Sequence, residues 1–164
     1  MRIGSNPEKF KRELTKVWLH RVIIPVYIPN SEEEFYKESF VVFKKCIKTL
    51  LATTNSNQTA ITIINNNCSD EVSNYIEDLL SKDDIQKHVK YSSNVGKTYA
   101  ILSEAKSCYE EFITISDADV YFINGWVEET AKIFNNYKYR LRLNKKGYQC
   151  PHFPALSRKA SIAH

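Results

Sequence analysis

The segment Arg21-Val-Ile-Ile-Pro-Val-Tyr-Ile-Pro29 carries the clearest structural signal in the chain. A continuous run of β-branched residues closed by prolines is typical of a buried strand of the kind found inside parallel sheets. A second run of the same character is Thr59-Ala-Ile-Thr-Ile-Ile64. These two segments predict a sheet whose strands are buried on both faces.

Each of these strands is followed by a segment whose apolar residues have helical spacing. After the first, Ser31 and Glu34 have the spacing of a capping box, and apolar residues recur at helical spacing at Phe35, Phe40, Phe43, Ile47, Leu50 and Leu51. After the second, Ser69 or Asp70 can cap a helix whose apolar face holds Val72, Tyr75, Ile76, Leu79 and Leu80.

The alternation of strands and helices continues to about residue 137. We expect a short strand at 88–91, a turn at 94–96, a helix at 97–108, a strand at 111–116 and a helix after Gly125. Four such alternations predict βαβ units. The expected fold class is α/β, a Rossmann-like layered sandwich with a mostly parallel sheet and helices on both faces. Residues 139–143 alternate like an edge strand, and the sequence beyond them shows no periodic core signal.

Polar residues follow the carboxyl end of every expected strand. In open α/β sheets, ligands bind in the crevice beyond these ends. The four strand ends are at Tyr27, at 65–70, at 94–97 and at 117–119. Their shared position predicts one binding site.

Asp117-Ala-Asp119 is the most specific of these strand ends. Two carboxylates one residue apart suit a hard divalent cation, since Mg²⁺ and Mn²⁺ prefer oxygen ligands and often bind carboxylates together with substrate phosphates. The alternative is a capping or turn role. Ser116 is interpreted as a turn residue, because no histidine stands at an evident base spacing from it.

The segment Asn94-Val-Gly-Lys97 combines a glycine turn, a helix N-terminus and a lysine. Helix N-termini and ammonium groups both favour phosphate oxygens. We therefore predict that Asn94, Gly96 and Lys97 contact a phosphate, with an ordinary strand-to-helix turn as the alternative. Asn65-Asn66-Asn67 offers amides for a base or a ribose, or forms a solvated turn.

Composition restricts the class of protein. The 164 residues suggest one domain, 43% hydrophobic and 26% charged, with a net charge of +4. The pI of about 8.8 is below that expected of a nucleic-acid-binding domain. The N-terminus lacks the apolar region of a signal peptide and no apolar run is long enough to span a membrane. We expect a cytoplasmic protein, with basic residues near both ends that are either solvated or attracted to the inner face of a membrane.

Four segments, in order along the chain, resemble family 2 glycosyltransferases of the GT-A fold. They are Val22-Ile-Ile-Pro-Val-Tyr27, Ile63-Ile-Asn-Asn-Asn-Cys-Ser-Asp70, Asn94-Val-Gly-Lys97 and Phe112-Ile-Thr-Ile-Ser-Asp-Ala-Asp119. The resemblance implies transfer of a sugar from a nucleoside-diphosphate sugar to a glycan, lipid-linked or other acceptor, with Mg²⁺ or Mn²⁺ as cofactor.

The same resemblance implies roles for single residues. Pro25, Tyr27 and Asn65 would form the base pocket, Asp117 would contact the ribose or the metal, and Asp119 would bind the metal. Asn65 departs from the family pattern, which usually has an aspartate there, and so brings no charge to the base.

The C-terminal part departs further from the pattern. The family continues well beyond its D-x-D motif with an acceptor site and a catalytic carboxylate, which have no recognisable equivalent in 139–164. We therefore name no catalytic base and expect a truncated, nucleotide-sugar-binding portion. Its expected parts are a charged arm or helix (1–20), a GT-A-like region (21–138) and an atypical tail (139–164). A catalytically incomplete nucleotide-sugar-binding module is the alternative function.

Overall fold

The computed structural model describes residues 18–136, with side chains as far as residue 133. In this part of the chain, strands and helices alternate: β1 (His20–Val26), α1 (Ser39–Thr53), β2 (Thr59–Asn66), α2 (Asp70–Ser81), β3 (Lys87–Tyr91), α3 (Lys97–Ala105), β4 (Phe112–Ile115) and α4 (Trp126–Asn136). The predicted βαβ alternation is confirmed. Most of the predicted charged arm, the edge strand at 139–143 and the tail lie outside the described residues.

The four strands form one sheet in the order β3-β2-β1-β4, and every neighbouring pair is parallel. β1 pairs with β2 from His20↔Thr59 to Val26↔Asn65. Both central strands are buried along nearly their whole length. This burial explains why their sequences are continuous apolar runs instead of alternating ones.

Helices cover both faces of the sheet, as expected. Because successive side chains of a strand point to opposite faces, Ile24 shares a core with Phe43 of α1 and Ile76 of α2. Its neighbour Ile23 belongs to a second core with Ala100 of α3. Thus α1 and α2 lie on one face, and α3 lies on the other. No helix within residues 18–136 is both long enough and apolar enough to cross a bilayer.

The order of the strands reverses at β1. The chain moves outward from β1 through β2 to β3 and then returns to place β4 on the other side of β1. Crossovers between parallel strands keep one hand, so a helix that connects strands in the reverse direction lies on the opposite face. The position of α3 follows from this rule. The crevice at such a reversal is where ligands bind in open α/β sheets.

The start of α1 differs from the sequence-based prediction. The capping box predicted at Ser31 and Glu34 is wrong, because the regular helix begins at Ser39. Asn30 organises the preceding turns instead: its Oδ1 accepts from the backbone N–H groups of Glu32 and Glu33 at 3.1 and 3.0 Å. The segment between β1 and α1 is therefore a structured loop. The helix predicted at 97–108 is also shorter and ends at Ala105.

Candidate functional site

A cavity of about 600 Å³ opens at the carboxyl ends of β1 and β4, where the strand order reverses. It is lined by most of the residues that the sequence predicts to bind a nucleotide or a metal: Pro25, Tyr27, Lys97, Asp117 and Asp119. The remaining lining residues come from the end of β1, the loop before α1, the first turns of α1, the end of β2 and the segment after β4: Val26, Ile28, Glu34, Phe35, Glu38, Ser39, Val42, Asn66 and Ala118.

Tyr27 and Pro25 form the part of the cavity that belongs to β1. The ring of Tyr27 packs edge-on against the ring of Tyr36, with centroids 5.9 Å apart. Tyr27 is 38% exposed, so one aromatic surface remains accessible beside the cavity. An aromatic ring held in this way can stack on a planar ligand.

Asp117 and Asp119 follow β4 directly, and both line the cavity. The carboxylate Oδ1 of Asp117 accepts a hydrogen bond from the ammonium Nζ of Lys97, and the two groups form an ion pair. The backbone of Asp117 is anchored separately. Its carbonyl oxygen accepts from Ser116 Oγ at 3.1 Å and from Cys46 Sγ at 3.8 Å.

Cys46 helps to anchor Asp117, and this role was not predicted from the sequence. It lies on α1, and burial raises the pKa of its thiol to about 11. The thiol is therefore protonated at neutral pH and remains a donor to the segment that carries the two aspartates. No motif signals this role, because the contact joins residues separated by 71 positions in the chain.

The two aspartates suit a divalent cation that is shared with a ligand. Within residues 18–136, no cluster of three or more His, Cys, Asp or Glu side chains is placed to hold a metal ion by protein groups alone. Mg²⁺ and Mn²⁺ commonly bind one or two carboxylates and complete their coordination with phosphates and water. Asp117 and Asp119, both exposed to the cavity, match that type of site.

The turn before α3 is held by Asn66. Its Nδ2 donates to Asn94 Oδ1 at 2.7 Å, and its Oδ1 accepts from the backbone N–H of Val95 at 3.0 Å. Asn94 Oδ1 also accepts from the backbone N–H of Gly96 at 2.9 Å. Asn94 and Gly96 thus shape the turn, whereas Lys97 reaches the cavity.

Asn65 and Asn66 point to opposite faces of the sheet. Asn65 is fully buried, and its amide donates to Ser73 Oγ at 2.8 Å while its Oδ1 accepts from the N–H of Cys68 at 2.8 Å. These bonds orient the loop between β2 and α2. The predicted contact of Asn65 with a base stays a prediction, and it is the neighbouring Asn66 that lines the cavity. The period-two alternation of β2 is the signal that distinguishes them.

Comparison with known proteins shows which family model this chain matches and which solved structures have a similar fold. The model of glycosyl transferase family 2 matches residues 22–160. TarS from S. aureus matches with a TM-score of 0.56 and 14% identity over 71% of this chain and 19% of TarS. A further TarS structure, in complex with UDP-GlcNAc, matches with the same TM-score and identity over 31% of its own length.

The mannosyltransferase PcManGT from Pyrobaculum calidifontis, in complex with GDP-Man and Mn²⁺, matches with a TM-score of 0.57 and 14% identity over 73% of this chain and 33% of PcManGT. The chain therefore spans a third or less of the length of these solved structures. No curated protein sequence matches it. At this identity the structural likeness shows the fold alone, and it confirms the expected GT-A-like α/β architecture.

Proposed function

We propose, from the premise that this chain belongs to glycosyl transferase family 2, that it binds a nucleoside-diphosphate sugar in the cavity for transfer of the sugar to a glycan, lipid-linked or other acceptor. The observation that carries this proposal is the convergence of Tyr27, Lys97, Asp117 and Asp119 on one cavity. It is supported by two solved proteins of the same fold, one in complex with UDP-GlcNAc and one with GDP-Man and Mn²⁺.

The cavity offers different chemistry on its different walls. Pro25 and the ring of Tyr27 present an apolar surface to the base, next to the buried end of β2 where Asn65 holds its loop. The ammonium of Lys97, which also lines the cavity, would favour the diphosphate, and the turn made by Asn94 and Gly96 holds the start of α3 from which Lys97 extends. The donor would thus lie across the carboxyl ends of the central strands.

Asp119 would hold Mg²⁺ or Mn²⁺, and Asp117 would contact either the same cation or the ribose. When bound, the cation would neutralise the negative charge that builds on the departing diphosphate. The two carboxylates would supply oxygen ligands, and hydrogen bonds from Ser116 and Cys46 anchor the backbone carbonyl of Asp117 beside the cavity.

A second candidate is donor binding without transfer by this polypeptide. The fact that favours it is the short match, since the chain covers between 19% and 33% of the matched chains. Incubating the purified chain with UDP- and GDP-sugars and measuring released nucleotide separates the two. With a glycan or lipid-linked acceptor present, donor binding without any release would support the binding module, and transfer or hydrolysis would exclude it.

The metal role of the two aspartates is testable by thermal unfolding. A ligand that binds the native state at 10 to 100 times its Kd stabilises it by about 1.4 to 2.7 kcal/mol, which raises the Tm of a domain of this size by several degrees. We expect UDP or GDP at millimolar concentration with Mn²⁺ to raise the Tm of the wild type. The double variant Asp117→Asn/Asp119→Asn should lose the Mn²⁺-dependent part of this shift.

A matched control removes the same charge elsewhere. Asp83 and Asp84 are adjacent aspartates after α2 and do not line the cavity. The double variant Asp83→Asn/Asp84→Asn should retain the wild-type shift. The proposal fails if no nucleoside diphosphate raises the Tm of the wild type, or if the Asp117/Asp119 variant keeps the full effect of Mn²⁺.

A further inference from the structure

Lys97 and Asp117 bind each other at the cavity, through Lys97 Nζ and Asp117 Oδ1. The proposed function, on which this inference rests, assigns the same carboxylate to a cation and the same ammonium to a diphosphate. The ion pair therefore competes with each ligand, because it uses the carboxylate charge that would attract the cation and the ammonium charge that would attract the diphosphate. The binding of the cation and the binding of the diphosphate are linked through this one ion pair.

The ion pair between Lys97 and Asp117 can separate at little cost in stability. The side chains of Lys97 and Asp117 are 58% and 50% exposed, and ion pairs exposed to that degree contribute little to stability. The backbones on both sides are fixed, by the turn at Asn94 and by the anchored carbonyl of Asp117. The two side chains can separate while the loops that carry them stay in place.

The charges that line the cavity determine how well the diphosphate and the cation each bind alone. Among the described residues that line it, Lys97 is the one basic side chain, whereas Glu34, Glu38, Asp117 and Asp119 are acidic. A diphosphate alone meets mostly like charge, relieved only by Lys97. A cation alone meets a carboxylate whose charge Lys97 already balances, and a nearby ammonium repels it.

We propose that Lys97 is a positioning residue that couples the two ligands: it shields Asp117 from a divalent cation alone, and it releases Asp117 when a diphosphate engages its ammonium. Coupling of this kind is reciprocal, so the diphosphate favours the cation by the same factor by which the cation favours the diphosphate. Nucleotide and metal then favour each other's binding, and the metal alone binds less tightly than it would without the ammonium of Lys97.

The test measures the affinity of the protein for each ligand separately. Mn²⁺ alone is titrated against the protein with detection of free Mn²⁺ by electron paramagnetic resonance, and UDP or GDP is titrated calorimetrically in the presence of EDTA. Lys97→Met removes the charge and keeps the length of the side chain. It should bind Mn²⁺ alone at least about fivefold more tightly than the wild type, and UDP or GDP at least about fivefold more weakly. Lys97→Arg should resemble the wild type in both titrations.

Lys90→Met is the matched control. Lys90 is similarly exposed, at 56%, and pairs with Glu77 at 3.8 Å on a surface that does not line the cavity. Lys90→Met should change the affinity for Mn²⁺ and the affinity for UDP or GDP by less than about twofold each, because the lost charge belongs to a separate surface pair. Tm values of all variants check that the fold is intact.

Mn²⁺ binding to Lys97→Met that is no tighter than to Lys90→Met, including no measurable binding to either, would overturn the inference. Its failure is distinguishable from failure of the proposed function. In the first case, the wild type still binds UDP or GDP together with Mn²⁺, and only the role of Lys97 is lost. In the second case, no nucleoside diphosphate binds to the wild type at all.

Discussion

Asn66 is the residue that connects the centre of the sheet to the turn before α3. Its side chain is 4% exposed and uses both ends of its amide, donating to Asn94 Oδ1 and accepting from the backbone N–H of Val95. A buried amide that satisfies two partners keeps them in one arrangement. Asn66 therefore holds the backbone from which Lys97 extends into the cavity.

We expect Asn66→Ala to lower the free energy of unfolding by about 1 to 3 kcal/mol, because a partly buried donor and acceptor lose their partner. Nucleotide affinity should also fall, since the turn before Lys97 loosens. Urea denaturation and UDP or GDP titration measure the two effects. Asn74→Ala, at an exposed position of α2, should change both little. Equal stability of the two variants would contradict the role given to Asn66.

At the scale of elements, the turn from β3 into α3 depends on its glycine. Gly96 stands at the N-cap of α3 with φ +82° and ψ +145°, a backbone conformation that is strained for residues with a side chain. A Cβ added at Gly96 would meet no atom within 4 Å. The requirement for glycine is therefore conformational and does not come from crowding.

Gly96→Ala should cost about 1 to 3 kcal/mol of stability through backbone strain and should weaken UDP or GDP binding. Gly125 offers a close comparison, since its φ of +85° precedes α4 and its Cβ would also meet open space. Gly125→Ala should lose similar stability in chemical denaturation and keep its nucleotide affinity. If both variants lose affinity to the same extent, the turn at Gly96 has no special role in binding.

Across the whole molecule, His20 joins three strands near the end of the sheet opposite the cavity. Its Nδ1 lies 3.1 Å from Thr59 Oγ1 of β2 and its Nε2 lies 2.8 Å from Thr114 Oγ1 of β4. Burial lowers the pKa of His20 to about 4, although the nearby charge of Glu110 opposes the shift. The native state therefore holds this imidazole neutral.

A lowered histidine pKa makes stability depend on pH. Above the unfolded pKa of about 6.5, both states are neutral and the full stability is present. As the pH falls from about 6.5 towards 4, the unfolded state takes up the proton first, and the free energy of unfolding decreases by up to about 3 kcal/mol. Urea denaturation at about pH 7.5, 6, 5 and 4, which spans this window, should show the loss.

His88 provides a comparison for the effect of His20 on the pH dependence of stability. Burial also lowers the pKa of His88, so it contributes to the same pH window and in the same direction. His20→Gln should give a clearly shallower dependence of stability on pH than the wild type, and His88→Gln should reduce it less. An unchanged slope in His20→Gln would show that another group titrates there.

Much of the local structure and part of the site followed from the chain without the tertiary structure. The β-branched runs of β1 and β2 predicted buried parallel strands because such strands are covered on both faces. The position of Asp117 and Asp119 directly after β4 predicted that they face the crevice, since carboxyl ends of parallel strands share one edge. Tyr27 and Lys97 were placed at the cavity by the same reasoning.

The three-dimensional arrangement alone settled which strands are neighbours and which of two adjacent amides lines the cavity. β4 pairs with β1 and not with β3, so Asp117 lines the same cavity as Tyr27. Cys46 anchors Asp117 across 71 positions and His20 meets Thr114 across 94. Hydrophobic periodicity reports which side of a segment is buried. It carries no information about the partner that buries it, because pairing between distant segments depends on the packing of the whole chain.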